Sequence, residues 1–313
     1  MHNVYNTVNL TKDNHLQYWF NHTHSQHFRT HPYEVAHMKI GGKVDTSIPF
    51  VDSLMETANE FHRRHGDEFR VFLSGGLDSE LACRVFLKAN LKFQPVLIRF
   101  KDDLNAPDVH NALKFCNDAG LKPLILEFDP YEFVNSNEWC RIARDYQCYT
   151  FYQQMLISIA EQQAQPMITI DEIELTKDHH EWVFSKKEDQ DGCWHRFVEK
   201  TGIPAYNNFY TYDLSTMVAF LKLPRVVSLV NNEIFGKLSW NSSKNAIYQE
   251  LTNFNMRPRH KRHGMEHLMH VWDHVEEHIA ANVLFDDPVV FAIPVSVITN
   301  ALASGQEVIW DTI

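Results

Sequence analysis

The stretch "FRVFLSGGLDSELACRVF", Phe69–Phe86, decides how the rest of the chain is read. An apolar run ends in two adjacent glycines, Gly75 and Gly76, framed by Ser74, Leu77, Asp78 and Ser79, and Leu81, Val85 and Leu87 then follow at helical spacing. That order predicts a strand, a tight turn and a helix. At the carboxyl edge of a parallel sheet such a junction offers unpaired backbone N–H groups and the positive end of a helix dipole, which together bind anions. The glycines let a phosphate approach closely, and Ser74 and Ser79 add hydroxyl donors. Asp78 is out of place in a pure anion cradle unless it holds a metal that itself neutralises phosphate, which points to Mg²⁺. The plainer alternative is a βα turn with a capping residue, and that needs a glycine but gives no reason for all of these positions together. A Walker-type phosphate loop and a Gly-x-Gly-x-x-Gly dinucleotide turn are both excluded by the spacing.

Working outward, Leu54, Ala58 and Phe61 suit an amphipathic helix over 51–65, ended by Gly66. A strand at 70–73, the glycine turn and its helix, a strand at 93–100, a helix through Val109, Leu113 and Cys116, and a strand at 122–128 predict a parallel sheet with right-handed crossovers. A helix at 151–163 and a strand at 166–170 extend the α/β core to about Asp171. From 176 the texture becomes charged and aromatic, and "EDQDG" (188–192) reads as the turn of a hairpin, a candidate lid. The expected organisation is an N-terminal extension with a helix (1–65), an α/β core (66–175), the hairpin or lid (176–212) and a mostly helical C-terminal portion (213–313).

With 313 residues and 44% hydrophobic content the chain can build a real core without staples. Five scattered cysteines with no CxxC pair argue against a disulfide framework or a thiolate zinc site and fit a reducing cytoplasm. The first residues lack the pattern of a signal peptide, and no stretch reads as a membrane span. A net charge of −11 disfavours nonspecific coating of nucleic acid.

"SGGLDS", Ser74–Ser79, resembles the PP-loop of the N-type ATP pyrophosphatases, and with leucine at its fourth position it is most similar to asparagine synthetase and β-lactam synthetase. The resemblance covers about Phe69–Phe128. It implies a PP-loop α/β fold of the adenine nucleotide alpha hydrolase type, with ATP held by Ser74, Gly75, Gly76, Leu77, Asp78 and Ser79 and cleaved between its α- and β-phosphates. It also implies Asp78 as an Mg²⁺ ligand and Leu73, Arg99 and Phe100 flanking the adenine. In those synthetases a Gly-Glu-Gly-Ser-Asp-Glu turn follows the fourth strand, whereas this chain reads "TIDEIELTKD", without the glycines. Asp171 is the favoured acid there, as a catalytic group and second Mg²⁺ ligand, ahead of Glu172 and Glu174; a solvated loop is the bland reading.

"MRPRHKRHG", Met256–Gly264, is similar to the late Arg-x-Lys element of the same synthetases through Arg259, Lys261 and Gly264. Lys261 would meet the charge that develops on departing pyrophosphate, with Arg257 and Arg262 as auxiliary cations; the alternative is a basic helix start or a local nucleic-acid patch. His267, His270, His274 and His278 form one helical stripe, read as a polar face and not as a zinc site. "NNFYTY" (207–212) reads as packing and not as a base-stacking platform. The resulting expectation is an ATP- and Mg²⁺-dependent ligase that adenylates a carboxylate or amide oxygen for attack by ammonia or an amine, acting on a small molecule or nucleotide. His2 after Met1 and the short leading segment give no attached glutaminase, so the nucleophile comes from elsewhere. The alternatives are modification of a nucleobase or tRNA, with nucleic acid a less favoured partner, and a nucleotide-binding protein that has lost catalysis.

Overall fold

A computed structural model describes residues 16–20, 36–40, 45–170, 173, 175–178, 181–231, 240–251, 254, 256, 257, 259, 266, 269–282, 290–304 and 308–311. Two short strands, β1 (Leu16–Phe20) and β2 (Ala36–Ile40), pair antiparallel and precede α1 (Phe50–His65). The stripe expected of α1 is the one it buries, Leu54, Ala58 and Phe61, and its last turn closes at Gly66.

The core then alternates β3 (Arg70–Phe72), α2 (Leu77–Lys88), β4 (Gln94–Phe100), α3 (Ala106–Ala119) and β5 (Leu124–Phe128). Two helices, α4 (Pro130–Asn135) and α5 (Glu138–Tyr146), lead into α6 (Phe151–Gln163) and β6 (Met167–Ile168). Next come β7 (Leu175–Asp178), β8 (Glu181–Lys187), α7 (Glu188–Thr201) and β9 (Ala205–Tyr206). The C-terminal portion is α8 (Leu214–Leu221), α9 (Pro224–Asn231), α10 (Trp240–Glu250), α11 (Met269–Asn282), β10 (Val290–Pro294), α12 (Val295–Ser304) and β11 (Val308–Asp311), mostly helical as expected.

The main sheet has the order β5-β4-β3-β6-β9, with every pairing parallel, so the fold is α/β as the alternation predicts. Each central strand is apolar on both sides because helices cover both faces. Val71 and Leu73 point into one core cluster and Phe72 into the other; Met167 and Ile168 divide the same way. The chain runs outward from β3 through β4 to β5, then returns to place β6 on the other side of β3. Strand order therefore reverses at β3, and in open α/β sheets ligands bind in the crevice at the carboxyl ends beside such a reversal. The glycine turn leaves β3 at that position.

One expectation is corrected. "EDQDG" does not turn a hairpin but opens α7, whose Cys193, Trp194 and Phe197 are buried at helical spacing against α5 and α6. An acid-rich first turn suits a helix N-terminus, whose composition here is also that of a turn. The hairpin here is β7–β8, and β8 pairs on its other side with β10. Residues 176–212 also give β9 to the main sheet, so this stretch is partly core. Among the described residues no single helix is long and apolar enough to cross a membrane.

Candidate active site

The turn between β3 and α2 is built by two glycines with different obligations. Gly75 has φ 81°, in the left-handed region, and a Cβ there would lie 2.1 Å from the carbonyl oxygen of Asp108 in α3. Backbone angle and backbone-to-backbone packing each demand glycine. Gly76 has φ −76°, open to any residue, and a Cβ there would meet only the Ser74 hydroxyl, at 3.3 Å. The fold itself does not explain why Gly76 is bare.

Two serines brace this turn. Ser74 N–H and Ser74 Oγ approach Ser79 Oγ at 3.2 and 3.0 Å, Ser79 Oγ donates to the Gly76 carbonyl at 3.1 Å, and Gly76 N–H donates to Ser74 Oγ at 3.3 Å. Among the described residues no side chain caps the start of α2. The first-turn N–H groups of a helix have no intrahelical partner, so this end retains its capacity for an anion.

The C-terminal portion supplies the charges. From α10, Lys244 Nζ donates to Asp78 Oδ2 at 3.0 Å and Tyr248, one turn on, donates from its hydroxyl to Oδ1 at 2.5 Å. Tyr210 donates to the Asp78 backbone carbonyl at 2.6 Å; burial, then the Asp78 charge, hold its phenol well above the usual range. Arg259 donates from Nη1 to Glu80 at 2.6 Å and from Nη2 to the Gly76 carbonyl at 2.8 Å. The other oxygen of Glu80 takes Arg84 at 2.7 Å. Asn245 fixes Arg259 by its backbone, accepting from its N–H at 3.0 Å and donating to its carbonyl at 3.1 Å.

Of the residues singled out in the sequence, Ser74, Gly75, Gly76, Leu77, Asp78, Ser79 and Arg259 come together here. Leu77 is buried with Leu73, which faces the core, and the Phe100 ring lies in the second cluster, 6.4 Å from Phe128. Only the backbone of Leu73 and Phe100 is left to flank an adenine; Arg99 is half-buried on β4 opposite Glu127. Asn105 pins the end of β4, accepting from Phe100 N–H and donating to the Ile98 carbonyl, both at 2.9 Å. Beyond it Asp102 and Asp103 hold φ of 58° and 54°, a strained pair at the carboxyl edge of the sheet. Asp171 and Lys261 lie outside the described residues, as do Glu172, Glu174, Arg262, Gly264 and His267.

Lys244, Tyr248, Tyr210 and Glu80 were not read as site residues. Lys244 and Tyr248 stand at i and i+4 beside Ile247 on a helix whose inner face is buried, and a lysine at such a position is the signal available in the sequence. In the run 207–212, Phe209 and Tyr212 pack on Phe61 and Tyr210 on Phe209, and of the histidine stripe His270, His274 and His278 are exposed on α11.

ATP and Mg²⁺ fare differently against this geometry. Among the described residues the Nε of Arg259, a buried donor, finds no partner beside the start of α2 and the bare Gly76, and this donor set fits a polyphosphate. Mg²⁺ on Asp78 would share carboxylate oxygens that already accept from Lys244 and Tyr248. Among the described residues no group of three His, Cys, Asp or Glu side chains could hold a metal.

No family model matches the sequence, and no curated protein matches it. Among solved structures, the chain is similar to an NH3-dependent NAD synthetase from Campylobacter jejuni, at 15% identity and a TM-score of 0.34 over 72% of this chain and 93% of that one. An NMN synthetase from Francisella tularensis gives 15% identity and a TM-score of 0.33 over 73% and 93%. A predicted subunit of tRNA methyltransferase from Methanocaldococcus jannaschii gives 15% and 0.31 over 61% and 92%. Likenesses this low carry no argument about what the chain does.

Proposed function

We propose that the chain is a PP-loop ATP pyrophosphatase-type ligase, in which residues 74–79 receive the polyphosphate of ATP and a carboxylate or amide oxygen is adenylated for attack by ammonia or an amine. The observation that carries this reading is Gly76: its backbone is open to any residue and a Cβ there would press only on the Ser74 hydroxyl, at 3.3 Å, yet it is bare at a helix start without a side-chain cap among the described residues, under the Arg259 guanidinium. A position kept bare without a structural reason, among anion donors, is what close approach of a phosphate requires.

In this proposal the backbone of Gly76 and the first turn of α2 receive phosphate oxygens, and the Ser74 and Ser79 hydroxyls turn toward them. Arg259 contributes its Nε–H, which has no partner among the described residues. ATP, when bound, supplies an AMP group to the acceptor oxygen and pyrophosphate as the leaving group. Lys261, in the Arg-x-Lys element with Arg259, is proposed to meet the charge that grows on that leaving group. Asp171, following the carboxyl end of β6, is proposed as the acid of the acceptor side. An amide-forming acceptor of the asparagine-synthetase kind is the finer reading, and it rests on the motif resemblance.

The test is pyrophosphate release from ATP across a matrix of small carboxylic acids, amides and nucleosides, each with and without ammonia and amines. The reading expects AMP and pyrophosphate in equal amounts for a cognate pair. ADP and phosphate as the dominant products sink it.

A further inference from the structure

We infer that Glu80 is a positioning residue of the polyphosphate site, holding the Arg259 guanidinium over the Gly76 carbonyl at the start of α2. The inference rests on the reading of residues 74–79 as that site. It concerns what keeps an arginine from the C-terminal portion in place there.

A buried carboxylate in the first turn of α2 calls for a reason, because it opposes an incoming phosphate. The two oxygens of Glu80 are divided between two guanidinia. Oε1 accepts from Arg84 Nε at 2.7 Å, one turn on in the same helix, and the Arg84 guanidinium also lies 5.0 Å from the centre of the Phe115 ring on α3. That local pair braces the carboxylate against the neighbouring helix. Oε2 reaches off α2 instead, accepting from Arg259 Nη1 at 2.6 Å across 179 positions of sequence. A pair that served α2 alone needs only the first of these contacts.

Arg259 is thereby fixed at its head as well as along its backbone. Nη2 donates to the Gly76 carbonyl at 2.8 Å, the same oxygen that takes Glu80 N–H at 3.2 Å and the Ser79 hydroxyl at 3.1 Å. Nη1 on Glu80 and Nη2 on Gly76 set the plane of a rigid fork, while Asn245 holds the Arg259 backbone through its N–H and its carbonyl. Of these contacts the one to Glu80 joins two charged groups, the strong class of hydrogen bond, with side chains 4% exposed for Glu80 and 14% for Arg259. Without it the guanidinium keeps the Gly76 carbonyl and regains the freedom of a long side chain. Glu80 acts on phosphate through Arg259.

The experiment is calorimetric titration of the α,β-methylene analogue of ATP, with Mg²⁺ present, into wild type, Glu80→Gln, Glu80→Asp, Arg259→Met and Glu80→Gln/Arg259→Met, each checked by unfolding without ligand. Glu80→Gln removes the charge. Glu80→Asp keeps it beside Arg84 but draws it back from Arg259 by one methylene, so the test stands where the neutral variant does not fold. Each change at position 80 is expected to lose at least about tenfold in affinity, the scale of one charge-assisted hydrogen bond. Arg259→Met should lose at least as much, and adding Glu80→Gln to it should cost no more than about twofold further, because a residue that acts through Arg259 then has nothing left to position. A merely structural role gives the opposite, a second loss of the same size in the Arg259→Met background. That additive loss overturns the inference, as does a smaller loss at position 80 or unchanged binding by Arg259→Met. Failure of wild type to bind the analogue is a different outcome: it removes the polyphosphate reading itself.

Discussion

The ammonium of Lys244 lies 3.0 Å from the carboxylate of Asp78, in a contact that spans 166 positions of sequence and ties the C-terminal helical portion to the first turn of α2. A charge pair this buried adds little net stability over an apolar pair, but removing one partner strands the other. Lys244→Met is expected to destabilise the fold by about 3–5 kcal/mol, and Asp78→Asn/Lys244→Met to recover most of that loss. Urea unfolding of both variants and of each single change closes the cycle. Single and double variants of equal stability would mean that the pair does not couple.

The two glycines should separate under substitution. Gly75→Ala places a Cβ in the left-handed region and 2.1 Å from the Asp108 carbonyl oxygen, so β3, the turn and α3 cannot keep their packing. A destabilisation above about 2 kcal/mol is expected, since the backbone term alone is about 1–2 kcal/mol. Gly76→Ala meets only a serine hydroxyl that can rotate, and under about 1 kcal/mol is expected from denaturant unfolding. Equal losses at the two positions would contradict this assignment.

How far the sequence could be read follows the range of the interactions. The βαβ alternation is local, so α6 appears over the residues its periodicity marks, and β3, β4 and β5 lie within a few residues of their expected bounds. The glycine pair was legible as a phosphate turn, but not the distinction between Gly75, required by Asp108, and Gly76, required by nothing in the fold. Lys244 and Tyr248 reach Asp78 from 166 and 170 residues away, and no local pattern tells which partner a buried lysine finds. "EDQDG" misled because acids and glycine are shared by turns and helix starts, and the periodicity of Cys193, Trp194 and Phe197 was the better guide.

Acid should weaken the fold through His65. Its Nε2 lies 2.8 Å from the Tyr206 hydroxyl and its ring stacks against Phe69; burial first, then the neighbouring Arg64 charge, lower its pKa from the ordinary 6.5. The unfolded chain therefore takes up this proton at a higher pH than the folded one. Stability from this group is complete above pH 6.5 and is lost as the pH falls from there toward the folded value. His65→Gln is expected to show a smaller fall in Tm between pH 8 and pH 5 than wild type, on the order of one titrating group. An unchanged pH dependence in the variant would assign the effect elsewhere.

Lys261 is proposed to act on charge that exists only as pyrophosphate departs. Lys261→Ala should lower kcat by on the order of 10²-fold while changing ATP affinity much less, as for an interaction stronger in the transition state than in the ground state. Lys261→Arg need not rescue it, because a planar guanidinium does not replace a compact ammonium. An unaltered kcat would return "MRPRHKRHG" to a surface role, and loss of oligonucleotide binding in the same variant would bring nucleobase modification forward.

The most direct measurement is calorimetric titration of ATP into wild type and Gly76→Ala at matched folding, checked by Tm without ligand. Wild type should bind ATP, and Gly76→Ala should keep the fold and lose at least about tenfold in affinity, because the added methyl stands where a phosphate oxygen must approach the backbone. Equal binding by the two proteins, or no binding by wild type, would contradict the account.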